Sequence, residues 1–133
     1  MQKITIVDTP LVSLWYHPDS KIVHHKIKQF VCGAPFKEFL LAGTELIKKH
    51  HAEKWLSDDR DCPVVRPEDI DWGDTHWFPQ TALAGWKYWA IVTPDKTVGK
   101  VMIRDLAAKY AKHGVTSKWF TDPDEALKWL EAQ

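Results

Sequence analysis

The sequence predicts an α/β fold: one mixed β-sheet, an antiparallel N-terminal hairpin followed by parallel βα units, with about four helices. Three observations carry this. The first third alternates apolar and polar residues, strand-like and helix-like segments alternate after residue 35, and no linker, repeat or low-complexity tract divides the 133 residues. Strands that alternate with helices pair in parallel through crossovers, whereas strands joined by a tight turn pair antiparallel. The expected order is β-β-β-α-β-α-β-α-β-α, with five or six strands in a single domain over residues 1–133.

Each element has a local cause. "ITIV" precedes Pro10, and "LVSLWYH" leads through Pro18-Asp19-Ser20 into "KIVHHKIKQFV". Pairing across Asp19-Ser20 puts Val12, Leu14 and Tyr16 on one face with Val23 and Ile27, a half-buried hairpin. Gly33-Ala34-Pro35 ends the strand and opens a helix, with proline suited to the first turn. Phe36, Phe39, Leu40, Gly43 and Ile47 form one stripe at helical period. Lys48, Lys49, His50 and His51 supply cations at the helix's negative end.

"EKWLSD" reads as a short buried strand. Pro67, Glu68 and Asp69 mark the next helix start. Pro79 interrupts "DWGDTHWFPQTALAG", so that helix is expected to kink or restart and to end near Gly85. "WKYWAIVT", aromatic and β-branched, is a strand. A helix from about Thr97 to His113 carries Val98, Val101, Met102, Leu106 and Tyr110, with Gly114 at its C′ position. "VTSKWF" is the last strand. Asp122, Pro123 and Glu125 then make a capping box for a final helix docked by Ala126, Leu127 and Leu130.

Composition narrows the function. Eighteen basic residues balance eighteen acidic ones, so nothing electrostatic points to nucleic acid or an anionic membrane. No apolar run is long enough to span a bilayer, and the N-terminus lacks a signal-peptide core. Cys32 and Cys62 have no CxxC spacing and read as reduced thiols of a cytoplasmic protein. No cofactor or metal is expected. Phosphate-binding glycine loops are absent, and adjacent His pairs lack the i, i+4 spacing of a zinc helix.

Several strings together resemble the SpoIIAA-like family, also described as STAS-like, whose other common label is that of a lipid carrier. They are "KIVHHKIKQFV" after a hairpin, "KKHHAEKWLSDDR" entering a charged loop, "DWGDTHWFPQTALAGWKYWAIVTP" and "WFTDPDEALKWLEAQ". The resemblance covers nearly the whole chain. It implies a non-enzymatic binding or regulatory module. In the better-understood relatives, anti-sigma-factor antagonists, a kinase phosphorylates the serine of an Asp-Ser pair at a helix start. Here that helix start reads Arg66-Pro67-Glu68-Asp69, without serine or threonine.

In parallel α/β sheets, ligands bind beyond the carboxyl ends of the strands. That rule gathers a rim of Ser57, Asp58, Asp59, Arg60, Thr93, Asp95 and Lys96, to which Asp61, Thr121 and Asp122 belong as neighbours. Such residues suit recognition of a partner; they also cap helices and keep loops wet. A nucleophilic site would need Ser57 or Cys62 beside a base, and the sequence places His76 as the one plausible base. His24 is expected on the solvent face as a cross-strand neighbour of Trp15.

Four of the eight tryptophans fall between Trp72 and Trp89. Trp72, His76, Trp77 and Trp86 could form an exposed patch for a protein partner or a second copy, a homodimer. They could instead line a pocket for a small apolar ligand, or simply pack in the core. An apolar cavity would favour the carrier reading and a flat exposed patch would favour association; an unrecognised hydrolase is the third reading.

Overall fold

The computed structural model describes residues 3–62, 64–92 and 97–133, with residues 97–100 and 102 described by backbone alone. Six strands form one sheet in chain order: β1 (Ile4–Asp8), β2 (Val12–His17), β3 (Ile22–Ile27), β4 (Lys54–Asp58), β5 (Tyr88–Val92) and β6 (Thr116–Phe120). β1, β2 and β3 pair antiparallel, and β3 to β6 pair in parallel. The hairpin register sets His17 opposite Ile22, centred on Asp19-Ser20 as the turn residues require.

Three helical segments connect the strands, α1 (Gly33–His50), a continuous run after β4 and α4 (Thr97–Ala111), and a fourth, α5 (Pro123–Glu131), follows β6. The continuous run joins α2 (Pro67–Trp72) to α3 (Phe78–Leu83) through a π-turn over Gly73–Trp77. The sequence leads one to expect a kink or restart at Pro79. The wider turn takes its place, with the Phe78 N–H donating to the Gly73 carbonyl five residues back. The inserted residue brings Trp77 and Phe78, adjacent in the chain, both into the core.

Strands stepping in one direction place their crossover helices on one face. Accordingly α1, the α2–α3 run and α4 contribute to one cluster, with Phe39, Ile47, Trp77, Phe78, Ile103 and Tyr110 against Val23, Trp55, Trp89 and Ile91. α5 covers the opposite face, where Ala126 and Leu130 meet Ile22, Leu56, Ala90 and Val92. Its start is capped as the sequence predicts, Asp122 accepting from the Asp124 N–H.

On α4 the sequence stripe is corrected. Val101 is exposed, while Ile103, Ala107 and Tyr110 are buried with Leu106 partly so, a stripe at i, i+3, i+4 and i+7. The side chains of Val98 and Met102 lie outside the described residues. Among the described residues, no helix is long and apolar enough to cross a membrane.

Candidate functional site

At the carboxyl ends of β3 and β4, on the α1–α4 side of the sheet, lies a cavity of about 90 Å³. Its wall is mostly apolar: Ile27, Phe36, Phe39, Leu40, Trp77, Trp89, Ile103 and Tyr110, with Gly73 of the π-turn. The polar exceptions are His25, Ser57, Asp59, Cys62 and Asp69.

Strand alternation puts these groups together. His25 and Ser57 are register partners across the parallel β3–β4 pair, so their side chains leave the same face. Asp59 follows β4, and its Oδ1 lies 2.9 Å from His25 Nε2. The Trp55 indole N–H donates to His25 Nδ1 at 2.9 Å. An indole nitrogen only donates, so Nδ1 must accept, the ring proton sits on Nε2, and the imidazole is neutral. The Trp89 indole N–H donates to Ser57 Oγ at 2.8 Å. All five of these residues are buried.

Asp69 ties the cavity's helical wall together. It is 1% exposed, accepts from the Gly33 N–H at 3.2 Å and pairs with Arg66 Nε at 3.1 Å. α1 has no acid in its own first turn, so this carboxylate from α2 serves the positive end of the helix. Burial first, and the neighbouring Asp59 charge second, push the Cys62 thiol up to about 12. A thiol held protonated in this way is a poor nucleophile.

The predicted rim divides. Ser57 and Asp59 meet in the cavity, but Asp58 leaves the other face of β4. There it is buried and held by Arg60, whose Nε and Nη2 donate to the two carboxylate oxygens at 2.9 Å each. Burial works to raise Asp58, and the Arg60 hydrogen bonds and charge outweigh it, leaving the carboxyl below its ordinary value. Thr93, Asp95 and Lys96 lie outside the described residues.

The aromatic set divides as well. Trp77 lines the cavity at 7% exposure; Trp86, at 2%, sits behind it among Trp55, Trp77, Phe78 and Trp89. Trp72 is half-buried, stacks on His76 and receives Lys37 over its ring, so these residues do not form one exposed patch. Edge-to-face and offset packing of such rings consumes them as core.

Two histidines differ from expectation. His76 is exposed and its Nδ1 bonds Thr75 at 2.8 Å, away from Ser57, so it is not the base. The histidine beside Ser57 is His25. Its position between Val23 and Ile27, both on the inward face, was the available signal. His24 does contact Trp15, with centroids 4.7 Å apart, but it is buried at 6% instead of lying on the solvent face. Trp15 and His17 cover it, the latter bonding at 3.1 Å.

Ser57, His25 and Asp59 are thus adjacent without forming a catalytic triad. The ring nitrogen that would take the serine proton already accepts from Trp55. A wider hollow of about 490 Å³ lies between α3 and α4, lined by Phe78, Ala82, Leu83 and Tyr110. Its Asp74 is already engaged by Lys109 at 2.6 Å and Tyr110 at 3.1 Å.

Compared with known proteins, the chain matches no family model, no curated protein and no solved structure.

Proposed function

We propose that this chain is a cytoplasmic, STAS-like, non-enzymatic binding module that takes a small, largely apolar ligand into the cavity between β3, β4 and the α1–α4 helices. One observation carries this reading: the aromatic segment is folded inward, with Trp77 as cavity wall and Trp86 as core, while Ser57 and Asp59 remain as polar groups in that wall. A concave, mainly apolar site with a few converging polar groups is the usual form of a small-molecule site.

Xenon tests it, because the gas enters apolar cavities without needing a hydrogen bond. Two-dimensional NMR under xenon pressure is expected to shift the Trp89 indole N–H and the Ile103 methyls. A Leu106→Trp variant, which fills the space from a half-buried position, is expected to lose that response. Unshifted wild-type signals would end the reading.

A second reading is association with a protein partner or with a second copy of the chain. It rests on β1, an edge strand whose Ile4 and Ile6 are 50% and 41% exposed. Open apolar edges invite strand addition. Light scattering at high protein concentration is expected to give a dimer on this reading, and a monomer removes self-association.

A further inference from the structure

We infer that the cavity selects a hydrogen-bond donor and that its ligand is a short aliphatic amine bound as the ammonium. This rests on the cavity reading above and names its substrate class. The argument begins with what the polar wall has left to offer. Asp59 Oδ1 receives His25 Nε2–H at 2.9 Å, while Oδ2 has no partner among the described residues. His25 is neutral because the donor-only Trp55 indole occupies Nδ1. The Asp59 carboxylate is therefore hydrogen-bonded but not charge-paired.

Among the described residues no lysine or arginine lines the cavity, and the second carboxylate of the wall, Asp69, already has Arg66 and the Gly33 N–H. Among the described residues, the wall thus carries one carboxylate with no cation beside it. An anionic ligand would meet repulsion with nothing to neutralise it, whereas an ammonium would gain a charge-assisted hydrogen bond. The faces of Phe36, Phe39, Trp77 and Trp89 add the attraction that aromatic rings offer a cation. Ser57 Oγ, with one lone pair used by Trp89, keeps a second for the same head group.

Volume sets the length. An engineered cavity of about 150 Å³ holds the six carbons of benzene, so about 90 Å³ holds about four non-hydrogen atoms. Isopropylamine, propan-2-ol and acetate each have about that size and differ in charge and donor capacity.

The experiment titrates the wild-type protein with these three probes at neutral pH and constant ionic strength, following the indole N–H signals of Trp55 and Trp89. Isopropylamine is expected to bind about tenfold tighter than propan-2-ol, the scale separating charged from neutral hydrogen bonds; acetate is expected to produce no saturable shift. In a folded Asp59→Asn variant the amine and alcohol dissociation constants are expected to converge. Propan-2-ol or acetate binding as tightly as the amine overturns the inference, as does a protein that takes xenon and none of the three. Failure of xenon together with all three probes overturns the cavity reading itself.

Discussion

Replacing Gly43 by alanine is expected to destabilise the protein, although the same change in an ordinary helix interior gains about 1 kcal/mol. Gly43 sits mid-α1 over the Trp55 indole. A Cβ there would overlap Cη2 and stand 2.8 and 2.9 Å from Cζ3 and Cζ2. Trp55 is 1% exposed and its ring is wedged between Trp77 and Trp86, at centroid distances of 5.3 and 5.9 Å, so it has nowhere to retreat. Overpacking of a tight core costs about 1–3 kcal/mol. Tilting the indole also endangers its bond to His25, and a buried donor left unpaired costs about 1–3 kcal/mol more. After the helix gain, the net loss is about 3 kcal/mol, a melting temperature lower by about 12 °C for a chain of this size.

Urea unfolding of wild type, Gly43→Ala, Trp55→Phe and the double variant checks both sign and cause. Phenylalanine lacks the ring atoms that clash, so in that background Gly43→Ala is expected to be neutral or stabilising. A Gly43→Ala protein as stable as wild type, or effects that simply add, would refute the packing argument.

Three further outcomes follow from groups already described. Burial first, then the neighbouring His17 and Lys3, push His24 down to about 3, well below an ordinary imidazole. Because folding excludes that proton, the stability is complete above about 6.5 and drains as pH falls below it; at pH 4.5 about 2–3 kcal/mol is gone. His24→Gln should flatten the acid limb of the denaturation midpoint, and an unchanged limb would refute the assignment. Asp69→Asn removes the partner of Arg66 and weakens the acceptor for α1, costing about 2–3 kcal/mol in thermal unfolding; a cost below about 0.5 would show that the carboxylate is incidental. Cys62, buried and pushed up to about 12, should resist iodoacetamide in the native protein while half-buried Cys32 reacts first; equal alkylation rates by mass spectrometry would contradict this.

The sheet and helices were legible because their periods are written in single residues: Val12, Leu14 and Tyr16 at two, Phe36, Phe39, Leu40 and Ile47 near three and a half. What the period leaves out is depth and neighbour. Ser57 and Asp59 could be placed at a strand end, yet nothing local distinguishes Asp59, which turns toward His25, from Asp58, which turns toward Arg60. That His25 faces Ser57 depends on the β3–β4 register, a contact between segments more than thirty residues apart in sequence. Likewise Pro79 announced a disturbance in its helix, but whether it ends in a break or a π-turn is decided by the core that receives Trp77 and Phe78.

The strand order has a consequence for synthesis. Since each strand pairs with its predecessor in the chain, the sheet can grow as the ribosome delivers it, every new strand finding its template already in place. The face formed by Ile22, Leu56, Ala90 and Val92 is different: its cover is α5, made after all six strands. Until Ala126 and Leu130 arrive, the nascent domain shows water an apolar surface that the finished one hides. A chain stalled just before Asp122 would therefore present chaperones with a nearly complete sheet and one bare side.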